Sequence, residues 1–384
     1  MNRTKKSMQL WAILSLSMIN AFVGTGISPA LSSIKEYFYD APAILVQMIV
    51  SLPSLLVIAV AFVFPWLSKR VSMRKLCLLG IFLFTAGGLA GGITNQIGTM
   101  IFTRTIIGLG YGLMMPLSVG LLAYFYDSAE QHRLNGEIVI WSSVSSIVCM
   151  MLAGYLAVIS WRYVFLVYLS GIPCLWLCFK FIPDVTLNSP KNRISLFIVK
   201  KTLPYSVGIF VIFTAYFAIL NNCSNISVSE GTVAAAHIGT VMTIQTFSSL
   251  FTGKCVETLK RIFKGSTGCM IWIFAIGGLF SLCVPQSLPF LCLGLLLFGI
   301  ALALAVGTLN AEACIACEKD EALSAGTLIM FMRSLGQFSS PITLAFLAQA
   351  VGSGNVRFPY LGAAAMCGVM LICFLVMGKR AHTA

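Results

Sequence analysis

The sequence predicts an all-α integral membrane protein with twelve transmembrane helices in two six-helix bundles. Three observations predict it. Of 384 residues, 58% are hydrophobic and only 10% are charged, against about a quarter charged in an ordinary soluble domain. A surface facing water cannot hide that much apolar area, so the natural solvent is lipid. Apolar runs of about 20 residues, the length that crosses a bilayer as a helix, recur along the whole chain. The basic residues behind the net charge of +13 sit in short clusters between these runs. That pattern excludes a basic nucleic-acid-binding domain and fits the loops of a membrane protein.

The runs lie near 10–31, 43–67, 76–94, 98–123, 138–159, 162–182, 204–224, 234–253, 268–285, 288–310, 325–348 and 358–378. The eighth carries His237 and Gln245, which makes it the most polar. The first run lacks a small-residue cleavage site and is long enough to span, so it reads as a helix rather than a signal peptide. Short links make neighbouring spans antiparallel. The longest link, from Pro183 to Lys201, contains Asp184, Pro190, Lys191 and Arg193 and has six spans on each side. The expected organisation is a first bundle over 1–182, a polar linker over 183–202 and a second bundle over 203–384.

Orientation follows from lysine and arginine. With the N-terminus inside, 20 of the 25 basic residues fall in inner segments, Lys35, Arg162 and Arg357 fall outside, and Arg104 and Arg333 lie within spans. The expected location is the cytoplasmic (inner) membrane of the cell, multi-pass, with both termini cytoplasmic. Thirteen cysteines at irregular spacing imply no disulfide framework, and most read as small apolar packers.

Several local patterns carry further information. Between spans two and three, Leu67, Arg70, Arg74 and Lys75 fit the pattern G-x-L-A-D-R-x-G-R-K-K. Pro65, Lys69, Ser72 and Met73 replace its first glycine, its acid, its second glycine and a basic residue. Between spans eight and nine, Gly253 and Glu257 hold the glycine and acid positions, followed by Lys260 and Arg261. Span four contains Arg104-x-x-x-Gly108, then Gly110 and Gly112. A Trp161-Arg162-x-x-Phe165 corner precedes span six. The glycine–proline pair expected before that corner is replaced by Cys149 and Met150, leaving Gly154. Span eleven has Gly336, Ser340 and Pro341, with Arg333 one turn earlier. Together with the six-plus-six layout these patterns resemble the major facilitator superfamily, over essentially the whole chain, in the style of bacterial small-molecule exporters.

That resemblance implies a secondary carrier working by alternating access, with its cavity lined by spans one, four, seven and ten. The substrate-binding candidates are then Asn20, Arg104, Tyr111, Tyr216, Asn221, Asn310 and Arg333, with Trp141 and Gln245 beside them. The conformational candidates are Arg70, Arg74, Lys75, Gly108, Gly112, Glu137, Gly154, Gly253, Glu257, Arg261, Gly336 and Pro341. Plainer readings stand beside these. The basic loops serve equally as positive-inside signals, and aromatic residues in a span are more often packing or interface residues. Arg104 either faces a polar cavity or partner, or snorkels towards the outer end. Small residues at 108 and 112 permit close helix approach.

None of the twelve acids sits clearly at mid-membrane: Glu36, Asp40 and Glu230 fall outside and the other nine inside. With Arg104 and Arg333 as the intramembrane charges, the expected passenger is neutral or anionic. The acids are dispersed and only His132, His237 and His382 exist, so no intramembrane catalytic group is assembled. Cys314-x-x-Cys317 has metal-ligand spacing but no second pair, and no phosphate-binding glycine loop with a following lysine is present. The chain is therefore expected not to be an enzyme and to use no cofactor. The expected partners are a small-molecule substrate, a proton as coupling ion and the lipid bilayer, with no nucleic acid and a monomeric state. Ion-gradient-driven efflux (an antiporter) leads. Uptake of an organic anion or sugar is the alternative, and a sensor or intramembrane enzyme is remote.

Overall fold

The computed structural model describes residues 3–186, 196–263, 267–317 and 322–383. In the first half, α1 spans Arg3–Thr25, α2 Leu31–Tyr37, α3 Ala43–Arg70, α4 Met73–Gly91, α5 Ile97–Phe125, α6 Ser128–Ile159 and α7 Gly171–Phe181. In the second, α8 spans Leu196–Ser229, α9 Ala235–Phe263, α10 Thr267–Ser281, α11 Leu288–Ile315, α12 Ala322–Val351 and α13 Phe358–Thr383. Two 3₁₀ segments, Ser28–Ala30 and Trp161–Ser170, complete the order. The first of them breaks the expected run 10–31 after Thr25, so the first span is α1 with a short continuation in α2.

All twelve expected spans are helical, the sixth being Trp161–Ser170 followed by α7. Among the described residues, nine segments are long and apolar enough to cross a membrane, and Thr267–Ser281 is apolar but shorter. The helices overshoot the bilayer: α3 has 28 residues, about 42 Å at 1.5 Å per residue, against a hydrocarbon core of about 30 Å. Caps set several ends. Asp127 accepts from the amide of Glu130 at 2.9 Å and starts α6, satisfying one of the amides a helix start leaves free. Pro42 in extended geometry precedes α3, and Val71 ends it in an extended conformation.

The chain divides into two compact units, Met1–Pro190 with Ala235–Thr240, and Lys191–Ala234 with Val241–Ala384. The residues between 187 and 195, in the expected linker, lie outside the described set.

Each unit is packed through paired glycines. On α4 and α5, a Cβ added to Gly110 would lie 2.6 Å from the Gly80 carbonyl oxygen, and one added to Gly80 would lie 3.1 Å from that of Gly110. On α10 and α11, Gly278 and Gly294 face each other's carbonyl oxygens in the same way, at 2.9 and 2.8 Å. Lipid offers no hydrophobic drive between helices, so this close backbone approach supplies the packing.

The sixth span departs from an α-helix for a reason visible in its packing. A 3₁₀ helix has three residues per turn, so every third side chain falls in one row. Arg162, Phe165, Tyr168 and Gly171 form that row and lie along α4. A Cβ on Gly92 would meet Phe165 Cβ at 3.2 Å, one on Gly91 the Phe165 ring at 2.5 Å, one on Gly88 would overlap the Tyr168 ring, and one on Gly171 would overlap Thr85. Ten residues of 3₁₀ helix are longer than the usual three or four; the glycine groove of α4 accepts the straight row it presents.

One arginine ties the far end of each unit, the end away from the chain termini. Arg162 Nη1 donates to the carbonyls of Gly92 and Thr94 at 3.0 and 3.1 Å. Its Nη2 donates to Asn95 Oδ1 at 2.6 Å and to the Tyr37 hydroxyl at 3.2 Å. In the second unit Arg357 Nη1 donates to the Leu282 carbonyl, Nε donates to Glu230 Oε1 at 3.0 Å and Nη2 donates to Glu230 Oε2. Both arginines open the sixth span of their unit and hold the ends of its first and third spans. The two halves thus repeat one construction with different acceptors.

Candidate functional site

In the first unit Arg104 is wholly buried. Its Nη1 donates to the Tyr168 hydroxyl at 2.9 Å, and its guanidinium carbon lies 4.7 Å from the Phe165 ring centroid and 5.6 Å from that of Tyr168. Nε and Nη2 have no hydrogen-bond partner. The cation is therefore held by one hydroxyl and two aromatic faces, a polarised but uncharged cage. It lies inside the helix packing rather than snorkelling, and it joins α5 to the 3₁₀ row. Gly108 and Gly112 sit on the α3 side of α5, where an added Cβ would meet Pro53 and Leu56 within 2.9 Å and Val60 at 2.7 Å. Tyr111 is half-buried. The Trp141 ring lies edge-on to Trp11 with centroids 5.2 Å apart, and Gly154 is buried on α6. Nothing is described of the Asn20 side chain, so that candidate falls outside the described residues.

The loop candidates of the first unit occupy helix ends. Arg74 Nε donates to the Ile182 carbonyl at 2.6 Å, and the Met73 amide to the Val185 carbonyl at 2.7 Å. The start of α4 is thus bound to the end of α7. Arg70 lies over the Trp66 ring at 4.4 Å, and Lys75 is exposed. Glu137 pairs with Arg133 at 3.9 Å on the same helix, with side chains 35% and 72% exposed; such a pair contributes little to stability. Where α5 hands over to α6, burial together with the carboxylates of Glu130 and Glu137 pushes the Tyr126 hydroxyl up.

In the second unit the structure gathers candidates on the seam between α8 and α12. The Arg333 guanidinium lies 4.6 Å from the Phe213 centroid, and Phe213 lies edge-on to Tyr216 at 6.1 Å. One turn on, the Thr214 hydroxyl donates to the Gly336 carbonyl at 3.4 Å and the Ser340 hydroxyl to the Thr214 carbonyl at 2.7 Å. Any side chain at Gly336 would strike the Phe210 carbonyl, and Pro341 lies buried within α12 just beyond. Arg333 and Tyr216 are half-buried, so this group combines a cation, aromatic faces and access. Asn221 is buried further along α8.

Gln245 on α9 and Asn310 on α11 each keep an amide atom without a hydrogen-bond partner, Nε2 and Oδ1 respectively. Gly253 and Arg261 are exposed on α9, with no atom within 4 Å of a Cβ at Gly253. The Glu257 side chain is outside the described residues. Cys314 and Cys317 are half-buried at the end of α11 and just beyond it, and among the described residues no cluster of three or more His, Cys, Asp or Glu is disposed to hold a metal.

Sequence reasoning missed Phe213, Tyr168 and Glu230. Phe213 and Tyr168 carry no signal of their own in the sequence, because only the partner arginine distinguishes them from other aromatic residues in a span. Glu230 was signalled: Arg357-x-x-Tyr360 repeats the Arg162-x-x-Phe165 corner, which marks the second arginine as a structural equivalent of the first.

A family model described as the Major Facilitator Superfamily matches residues 13–341. The chain is 23% identical over 203 residues to the putative multidrug resistance protein MdtD of Pectobacterium carotovorum subsp. carotovorum (strain PC1), covering 52% of this chain and 43% of that protein. It is 23% identical over 194 residues to the riboflavin transporter RibZ of Clostridioides difficile (strain 630), covering 49% of this chain and 42% of that one. The match covers less than half the length of those relatives. Among solved structures, a bacterial homologue of the human lysosomal transporter Spinster superposes with TM-score 0.80 at 12% identity, over 99% of this chain and 98% of that one. A D-xylose–proton symporter superposes with TM-score 0.74 at 14% identity, over 96% of each chain. At those identities the structural likeness shows the fold, and the family model, reaching from the first span into α12, shows the lineage: this chain belongs to the Major Facilitator Superfamily.

Proposed function

We propose that this chain is a secondary active carrier that exports a small neutral or anionic organic solute by alternating access, driven by a proton gradient. Members of its family are transporters rather than enzymes, and the fold is a multi-pass membrane bundle. The observation that carries the substrate class is the placement of the two cations within spans. Arg104 is used up inside the first unit. Arg333 is half-buried against Phe213 with Tyr216 beside it, which supplies a positive charge and a flat apolar surface. That chemistry attracts an aromatic or carboxylate-bearing solute and repels a permanent cation.

In this reading Arg333, Tyr216, Asn221, Gln245 and Asn310 contact the passenger, joined by Asn20, Tyr111 and Trp141. Arg70, Arg74, Lys75, Glu137, Gly253, Glu257 and Arg261 work at the ends of the helices that move, with Gly154, Gly336 and Pro341 permitting sliding. The bundles are 1–182 and 203–384 with 183–202 as linker. The protein is a monomer in the cytoplasmic membrane, with both termini cytoplasmic. A second reading, carriage of a metabolite, is favoured by the relative named as a riboflavin transporter.

The test is counterflow in proteoliposomes with matched fluorescent anions, neutral dyes and quaternary ammonium dyes, with and without an imposed proton gradient. Anionic or neutral dyes are expected to move and Arg333→Gln to lower their transport about tenfold or more, the effect of losing one charged contact. Efficient movement of permanent cations with Arg333→Gln unaffected would overturn the assignment.

A further inference from the structure

We infer that the terminus-side end of the first unit, where α3, α4 and α7 come together, is a docking surface for an anionic phospholipid. The inference goes beyond the carrier reading and is independent of the passenger and of its direction.

Exposed apolar residues on these helices form stripes at helical spacing, and each stripe ends in a cation. On α3, Phe62 and Trp66 lead to Lys69 and Arg70. On α4, Phe82 and Leu79 lead back to Lys75. On α7, Ile172 and Trp176 lead to Lys180. Spacings of three and four put each series on one face of its helix. The backbone brings the three charged ends together. Only Val71 and Ser72 separate α3 from α4. Arg74 and the Met73 amide bind the start of α4 to the Ile182 and Val185 carbonyls just beyond α7, at 2.6 and 2.7 Å.

Two of the cations are fixed on indole rings. The Arg70 guanidinium carbon lies 4.4 Å from the Trp66 centroid, and Lys180 Nζ lies 5.0 Å from that of Trp176. Tryptophan settles at the level of the lipid headgroups, so a cation stacked on it is held at the depth of the phosphates. Lys69 and Lys75 are exposed beside them. Among the described residues none of these four cations has an ion-pair partner.

The surface carries little counter-charge of its own. The sequence holds no acid from Ala41 to Tyr126, and Lys69 stands where the G-x-L-A-D-R-x-G-R-K-K pattern has its acid. The acids after α5 are engaged elsewhere. Asp127 caps α6, Glu137 pairs with Arg133, and Glu130 and Glu137 lie by the Tyr126 hydroxyl. Asp184, exposed beyond α7, is the acid that remains on the adjoining segment. Four cations against one carboxylate leave a positive rim above apolar stripes. A soluble anion would use the rim alone. A phospholipid uses both, its phosphate on the cations and its acyl chains along the stripes, and an anionic headgroup gains most.

The test places the full chain in phosphatidylcholine nanodiscs with a rising fraction of dibrominated phosphatidylglycerol, or of dibrominated phosphatidylcholine, and reads tryptophan fluorescence. Bromine quenches an indole that it touches, so the quenching lost in Trp66→Phe with Trp176→Phe reports this surface. Half-quenching is expected at about a fivefold lower fraction of phosphatidylglycerol than of phosphatidylcholine, the factor that one cation contributes at an anionic headgroup. Lys69→Gln with Lys180→Gln is expected to remove most of that preference. Lys69→Arg with Lys180→Arg is expected to keep it, as is Lys35→Gln at the far end. Equal quenching by the two lipids, or a preference that survives Lys69→Gln with Lys180→Gln, overturns the proposal. Displacement of the lipid by millimolar glycerol phosphate also overturns it, since the surface would then be a site for soluble anions. If a variant does not fold, the wild-type comparison of the two lipids, with and without glycerol phosphate, decides alone.

Discussion

Arg104 shows how a costly residue is kept in a membrane helix. An arginine at a span's centre carries an insertion penalty of about 2.5–3.5 kcal/mol, and here only one of its nitrogens has an acceptor. The Tyr168 hydroxyl therefore matters more than an ordinary hydrogen bond. Tyr168→Phe is expected to destabilise the protein by about 2 kcal/mol, the usual cost of removing a bond to a charged group. Arg104→Met, which is neutral and fits against the Phe165 and Tyr168 rings, is expected to leave stability unchanged or raise it. In the double variant the loss from Tyr168→Phe should vanish, because the phenol then has no cation to serve. Thermal unfolding in detergent, followed by tryptophan fluorescence, measures all four corners of this cycle. Additive losses would mean that the hydroxyl works through some other contact. The arginine was legible in the sequence as an anomaly, but its partner was not. A tyrosine in an apolar run has the same pattern whether it stacks, faces lipid or accepts a hydrogen bond.

At the scale of elements, the sixth span shows where sequence reading stops. Twelve runs were legible because hydropathy at bilayer length does not depend on which helix type forms, and every one of them is helical. Whether Trp161–Ser170 winds as α or 3₁₀ was not legible. Arg162, Phe165, Tyr168 and Gly171 at spacings of three also fall near one face of an α-helix, so the pattern fits both. The deciding information lies on another element, in Gly88, Gly91 and Gly92 of α4, which leave room for a straight row of rings. Gly88→Ala is accordingly expected to destabilise by about 1–3 kcal/mol, the range for forcing a methyl into a filled contact. Gly98→Ala, where a Cβ would meet nothing within 4 Å, is the matched control and is expected to be neutral. Thermal unfolding of the two variants side by side checks this. Equal behaviour would show that the 3₁₀ row yields easily and does not depend on the groove.

At the scale of the whole molecule, the proposal that both termini are cytoplasmic rests on charge distribution. The sequence puts 20 of the 25 basic residues in segments expected on the side of the termini, and such segments tend to stay inside. The far-end turns hold few cations, and two of them contain glycines at positive φ, Gly231 at 69° and Gly352 at 67°. Alkaline phosphatase inserted at either turn is therefore expected to be active, since that enzyme folds only where disulfides form. The same reporter fused after residue 384 is expected to be inactive. The reverse pattern would place both termini on the outer side and overturn that orientation.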